Sequence, residues 1–408
     1  AMGDVAAAFF GYPAEHLLIT GVTGTNGKTT TAFLLAGILE QDGMAPGLIG
    51  TIETRVGGER MPGARTTPES VDLQRLFRAM VDSGSKAVAM EVTSHALVLG
   101  RVNGIRFHAA GFTNLTQDHL DFHTDMEDYF AAKRALFVDG RTEKAAINVD
   151  DPYGRRLLGE VGVPALSFGS TADADVHAHD VVFAPSSSSF GITTPKGEIS
   201  VETPLIGAFN VSNCLAAAAI ALQAGISLAA IERGLCAVTS VPGRFEVVDE
   251  GQPFTVVVDY AHTPDSLDNV LRAARGVTRE GRVICVFGCG GDRDRSKRPL
   301  MGAVVARLAD VCIVTSDNPR SEDPGVIVGE ILEGVEGERA TGADAVDVDR
   351  RAAIGVALTM AQAGDVVVIA GKGHETGQEF ADVTVPFDDR EVAHSSLRAI
   401  GFAKGGAQ

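Results

Sequence analysis

The chain has 408 residues, 45% of them hydrophobic and 22% charged, a composition that builds two or three globular domains. Its net charge of -18 argues against a nucleic-acid or anionic-membrane partner, because either would repel so acidic a surface. No apolar run approaches the roughly 20 residues that span a bilayer, and the N-terminus lacks a basic stretch followed by an apolar one, so a cytoplasmic protein is expected.

Short apolar runs at residues 17–20, 87–92, 109–112 and 145–149 alternate with helical patterns over 28–41 and 126–137. That rhythm predicts an α/β domain with a mainly parallel sheet. From 176 to 206 the pattern turns polar and alternating, with turns expected at 185–189 and 195–197. This reads as a small antiparallel β region lying against the first sheet. Helices over 213–223 and 227–236 end near Pro242-Gly243, where a domain boundary is placed. A second series of alternating strands and helices follows: 254–259, 265–274, 283–287, 298–308, 311–315, 326–332, 350–361 and 366–370. It predicts a Rossmann-like, doubly wound C-terminal domain. The expected division is a short N-terminal remnant or linker over 1–15, a P-loop-type central ATPase domain over 16–240, and the C-terminal domain over 241–408.

The five cysteines (Cys214, Cys236, Cys285, Cys289, Cys312) are odd in number and widely spread, which fits reduced, buried thiols rather than a disulfide framework or a zinc site.

After the first strand, Gly24-Thr25-Asn26-Gly27-Lys28-Thr29-Thr30 opens directly into a helix. Glycines let backbone N–H groups turn onto phosphate oxygens, Lys28 adds charge, Thr29 can hold Mg²⁺, and the helix N-terminus favours an anion. The longer P-loop spacing would need glycine at Val22, so this is the shorter Gly-x-x-Gly-Lys-Thr form. ATP is the default nucleotide, since no guanine-reading Asn-Lys-x-Asp sequence appears. Glu91 ends an apolar strand, where the carboxyl edge of a doubly wound sheet faces the ligand crevice and suits a Mg²⁺ ligand. By spacing alone His119 reads as a surface-loop histidine and Lys133 as a solvated helix-face lysine.

Together the phosphate loop, Glu91-Val92-Thr93-Ser94-His95, residues 114–121, Gly207-Ala208-Phe209-Asn210-Val211-Ser212-Asn213 and Pro242-Gly243-Arg244-Phe245-Glu246 resemble the Mur ligases, ATP-dependent peptide ligases of cell-wall assembly, and most closely the MurE type. The resemblance runs over nearly the whole chain in family order. It implies that Lys28 and Thr29 bind ATP phosphates and a first Mg²⁺ whose shell Glu91 completes. It also implies that His119 ligates a second Mg²⁺, and that Lys133 is carbamylated. Asn210 and Asn213 are implied near adenine, Arg244 near the γ-phosphate and Asp259 near the ribose. The implied reaction activates a carboxylate as an acyl phosphate and couples it to an amine held on the second domain.

Asp317-Asn318-Pro319-Arg320 resembles the sequence marking the members that add meso-diaminopimelate, in which Arg320 offers a planar fork for a carboxylate. Arg293, Asn318, Gly371 and Glu375 match the family's other contacts to that amino acid, Glu375 pairing with its distal ammonium. Thr66, Thr67, Ser94 and Arg101 match positions that bind the muramoyl-peptide acceptor, although Thr93 departs from the commoner serine. Family members carry an N-terminal UDP-binding domain, of which residues 4–15 resemble only the last stretch. Two readings stay open: Ala1-Met2-Gly3 is left by cloning at the start of a shortened piece, or Met2 starts a natural short relative that ligates an amino acid to a carboxylate free of UDP. A non-catalytic nucleotide-binding regulator is disfavoured by the joint presence of Lys28, Glu91, His119 and Lys133. The expected partners are small molecules, with a monomer as the expected form.

Overall fold

The computed structural model describes residues 2–63, 65–184, 186–278 and 280–403. Ala1 and Pro185, which figured in the expectations above, lie outside them.

The first half carries strands β1 (Leu18–Thr23), β2 (Gly47–Ile49), β3 (Glu53–Val56), β4 (Glu59–Pro62), β5 (Ala87–Glu91), β6 (Ala109–Phe112), β7 (Ala145–Asn148), β8 (Ala165–Gly169), β9 (Val176–Ala184), β10 (Ser187–Thr194) and β11 (Gly197–Thr203). Its helices are α1 (Met2–Phe9), α2 (Lys28–Gln41), α3 (Ser70–Asp82), α4 (Ser94–Val98), α5 (Met126–Val138), α6 (Pro152–Leu158), α7 (Ala208–Gln223) and α8 (Leu228–Ala237). The strands form one 11-stranded sheet in the order β11-β10-β9-β8-β7-β6-β1-β5-β2-β3-β4. β1 lies between β5 and β6 with both pairings parallel, so the chain changes direction across the sheet at β1. In doubly wound sheets such a switch point opens the crevice where ligands bind.

β5, β6 and β7 are buried along their whole length, as expected of parallel strands covered on both faces. The alanine-rich α7, almost entirely buried, packs with α2 on one face. α3 and α5 supply the other face.

The second half carries β12 (Glu246–Val248), β13 (Thr255–Asp259), α9 (Pro264–Val277), β14 (Val283–Phe287), α10 (Lys297–Leu308), β15 (Val311–Thr315), α11 (Pro324–Glu338), β16 (Ala345–Asp347), α12 (Arg350–Met360), β17 (Val366–Ala370) and α13 (Asp389–Ala399). Its sheet runs β12-β13-β17-β14-β15-β16, parallel except for β12 at one edge. Helix starts are fixed by side-chain caps: Thr263 and Ser266 form a reciprocal capping box, and Asp323, Asp349 and Asp388 cap α11, α12 and α13.

Three expectations are corrected. The antiparallel region does not lie against the first sheet but extends it, because β9 pairs in parallel with β8 and so brings β10 and β11 into the same ladder. Residues 187–189 are strand rather than turn, since Ser187 already pairs with Ala184. The helix expected from 213 begins at Ala208, where Gly207 (φ 101°) ends the preceding extended segment. No helix among the described residues is long and apolar enough to cross a membrane.

Candidate active site

The phosphate loop leaves the carboxyl end of β1 and turns through Gly24 (φ 147°) and Gly27 (φ 86°). A Cβ on Gly24 would stand 1.9 Å from Thr113 Oγ1, and one on Gly27 2.4 Å from Asn213 Oδ1, so neither position admits a side chain. Lys28 Nζ donates to the carbonyls of Gly24 (2.9 Å) and Thr25 (2.7 Å). Lys133 Nζ, on α5, donates to the same Gly24 carbonyl at 2.8 Å. The buried amine of Lys133 and the half-buried amine of Lys28 thus converge on one neutral acceptor, an arrangement that favours an anion. Burial pushes the Lys28 ammonium below its ordinary range, and burial followed by repulsion from Lys28 pushes Lys133 well below it. Lys133, read from spacing as a solvated lysine, is only 1% exposed and lies over the Tyr129 ring.

Glu91 is buried at the end of β5 and held by three donors: Thr29 Oγ1 (3.0 Å), the Thr51 backbone N–H (2.8 Å) and Thr51 Oγ1 (3.1 Å). Thr29 Oγ1 in turn accepts from Arg244 Nη2 at 3.0 Å. This cluster of hydroxyl and carboxylate oxygens is the donor set a hard cation such as Mg²⁺ prefers. Thr51 was not recognised in the sequence; the available signal was its place just beyond the apolar β2, at the same edge as Glu91.

His119 sits in the left-handed region (φ 56°) beside Asp118. Burial pushes its imidazole well below the ordinary histidine range, leaving the neutral ring that can ligate a metal. Burial raises the Asp118 carboxyl, but the surrounding His119, His262 and Lys297 and the His119 backbone N–H outweigh it and pull the group below its ordinary range. His262 Nε2 is 3.8 Å and Lys297 Nζ 4.0 Å from Asp118, both from the second half of the chain. Asn26 Nδ2 donates across the same divide to Asp265 at 2.7 Å.

Three cavities meet here. The largest, about 760 Å³, is lined by Asn26, Gly27, Thr30, Asn213, Arg244 and Asp259 among others. The second, about 340 Å³, is lined by residues 25–29, Thr66, Thr67, Glu91, Arg101 and His119. It shares Arg244, Tyr260 and His262 with the first. The third, about 230 Å³, holds Arg293, Asn318, Arg320, Gly371 and Glu375 together and shares Asp118, His119, Tyr260 and His262 with the second.

Two residues expected at ligands do not line these cavities, and two that do are already partnered. Asn210 does not line the large cavity; it accepts from Asn213 Nδ2 at 3.1 Å and so orients that residue from one turn below. Ser94 is buried against His123 Nε2 at 3.0 Å rather than lining the acceptor-side cavity. Asp259 reaches the large cavity, but its oxygens accept the backbone N–H groups of Phe245 and Ala261, both at 2.7 Å, and burial raises its carboxyl to about 6. Arg320 does not wait unpaired for a ligand: Glu379 meets its Nε at 2.7 Å and the Gly291 carbonyl its Nη1 at 2.9 Å. Glu379, Tyr260 and His262 were given no role in the sequence reading, and Lys372 entered it only within the segment Gly371-Lys372-Gly373-His374-Glu375, because loops carry polar residues without distinguishing which ones fold inward.

Residues 22–221 match the Mur ligase middle domain, and residues 243–373 match the Mur ligase glutamate ligase domain. The chain is 51% identical over 402 residues to the UDP-N-acetylmuramoyl-L-alanyl-D-glutamate--2,6-diaminopimelate ligase of Streptomyces coelicolor, covering 97% of this chain and 79% of that protein. To the ligase of the same name from Geobacillus kaustophilus it is 49% identical over 408 residues, covering 98% and 83%. A solved structure of a ligase with that name superposes with a TM-score of 0.67 at 35% identity, over 97% of this chain and 83% of that one. The Mycobacterium tuberculosis folylpolyglutamate synthase shares the fold, with a TM-score of 0.74 at 18% identity over 99% and 95%. With both halves matched by consecutive domains of one enzyme family, and with relatives near half identity along almost its full length, the chain belongs to the Mur ligases.

Proposed function

We propose that the protein joins meso-diaminopimelate to the free glutamyl carboxylate of UDP-N-acetylmuramoyl-L-alanyl-D-glutamate, at the cost of one ATP. The observation that carries this reading is the meeting of three cavities around Lys28, Glu91, His119 and Arg244. Nucleotide, carboxylate and amine then each have a chamber opening on one reacting centre. Residues 16–240 supply the phosphate loop, and residues 241–408 supply one wall of the large cavity and most of the amine chamber.

Members of the family depend on Mg²⁺. Thr29 and Glu91 would hold one ion and His119, with a carbamate on Lys133, a second; bound there, they neutralise charge on the transferring phosphoryl group. Lys28 and Arg244 place cationic N–H groups on the same phosphates. The acceptor carboxylate, in the chamber of Thr66, Thr67 and Arg101, attacks the γ-phosphorus, and the bond to ADP breaks. The amine then attacks the acyl carbon, loses a proton and expels inorganic phosphate. Contacts across the divide, Arg244 to Thr29 and Asn26 to Asp265, hold the halves together and exclude water from the acyl phosphate. The pushed-down pKa of Lys133 supports its carbamylation, since only the neutral amine adds CO₂.

The test is phosphate release with meso-diaminopimelate or lysine as amine, and with UDP-linked or UDP-free muramoyl dipeptide as acceptor. Lysine lacks the second carboxylate, so Arg320 and Asn318 would face its bare chain end. Because Glu379 already shares Arg320, the expected discrimination in kcat/KM is about a hundredfold, on the order of 3 kcal/mol. Arg320→Ala should narrow that ratio chiefly by losing diaminopimelate activity. Equal use of both amines by the parent enzyme would sink the amine assignment, and activity only with an unrelated carboxylate would sink the acceptor.

A further inference from the structure

The loop after β17 reads Gly371-Lys372-Gly373-His374-Glu375, and its lysine side chain is 0% exposed. A lysine surrounded by flanking glycines would ordinarily reach solvent, and burying its charge is costly without partners. The glycines explain how it turns inward. Gly371 (φ 120°) would carry a Cβ 2.3 Å from Asp317 Oδ2, and Gly373 (φ 53°) one 2.7 Å from the Gly243 carbonyl. The backbone is therefore pressed against both neighbours and the lysine passes beneath the amine chamber.

Its partners are two residues of that chamber. Lys372 Nζ donates to Asn318 Oδ1 at 2.8 Å and to Glu375 Oε2 at 3.0 Å. Asn318 Oδ1 also accepts from the Glu379 backbone N–H at 3.0 Å, and Asn318 Nδ2 donates to Glu375 Oε2 at 2.8 Å. Only one orientation of the amide sets its oxygen against two donors and its nitrogen against a carboxylate. Among the described residues no hydrogen bond takes the second Asn318 N–H or Glu375 Oε1.

We propose that Lys372 is a positioning residue that sets the polarity of the amine chamber. It fixes Asn318 as a donor for a carboxylate and presents Glu375, with one oxygen committed, as the acceptor for an ammonium. The distal amino-acid head is then read in one handed arrangement: carboxylate toward Asn318 and Arg320, ammonium toward Glu375. This rests on the amine assignment above. It adds that stereochemical choice at the distal carbon depends on a residue that does not itself touch the substrate.

The experiment compares meso-diaminopimelate with its LL isomer, in which the distal carbon has the opposite configuration, in the parent and in Lys372→Met. The variant should raise KM for the meso isomer about thirtyfold, leave KM for ATP and acceptor within about twofold, and narrow the meso-to-LL preference at least about tenfold. Lys372→Gln, which drops the charge and whose shorter chain cannot donate to both Asn318 Oδ1 and Glu375 Oε2, serves if the methionine variant does not fold and should narrow the preference in the same direction. Lys372→Arg, which keeps charge and donors, should restore it. A folded Met or Gln variant with the parent's isomer preference overturns the role of Lys372 alone. A parent that uses lysine as well as diaminopimelate overturns the underlying amine assignment and this proposal with it.

Discussion

Replacing Lys28 with alanine should lower ATP-dependent phosphate release at least about a thousandfold, some 4 kcal/mol of transition-state stabilisation, and leave the fold intact. The lysine's own hydrogen bonds go only to Gly24 and Thr25 in the loop that carries it, so no packed element depends on them. Its removal deletes the charge that would meet the β- and γ-phosphates. Phosphate release and thermal melting measured on the same preparation separate the two effects. Turnover near the parent's would remove the phosphate-loop assignment, and a large fall in melting temperature would show that the side chain supports structure.

Lys133→Ala should be as inactive as Lys28→Ala, and for a different reason. Lys133 is buried at the back of the phosphate loop, so its loss removes the carbamate that would hold the second Mg²⁺ and leaves a cavity beside Tyr129. Formate or acetate at tens of millimolar should recover at least about tenfold activity by supplying the missing carboxylate to the metal. Depleting dissolved CO₂ should inhibit the parent but not the rescued variant. Carbamate formation joins the amine nitrogen to CO₂ and releases one proton, so the modification is favoured as pH rises through the pKa of Lys133. With that pKa well below the ordinary lysine value, the modified form should persist to lower pH than on an exposed lysine. An active Lys133→Ala enzyme, or a parent indifferent to CO₂, would contradict the carbamate.

Regular elements were legible because their physical signals are local. The apolar runs at 109–112, 283–287 and 366–370 coincide with β6, β14 and β17, since buried parallel strands show up as continuous apolar residues. Short edge elements were not. β12 and β16 have three residues each, and their place comes from pairing with distant strands rather than from any pattern of their own. The same division holds in the site. The phosphate loop announces itself because glycine, lysine and threonine must be contiguous to wrap phosphate. Thr51, Asp118 and Lys372 each have a partner 40 or more residues away, and a single sequence carries no mark of those distant partners. The sequence nominated Arg320 as a carboxylate reader but carried no sign of its pairing with Glu379, because that contact depends on how the loop from residue 371 folds back.

The central claim is that a substrate carboxylate is phosphorylated before the amide bond forms. It is tested most directly by labelling both oxygens of the acceptor's glutamyl carboxylate with ¹⁸O and following the label by mass spectrometry through a turnover with ATP and meso-diaminopimelate. Attack of the carboxylate on the γ-phosphorus must carry one labelled oxygen into inorganic phosphate and leave the other in the new amide. Unlabelled phosphate, or label appearing in AMP, would contradict the account.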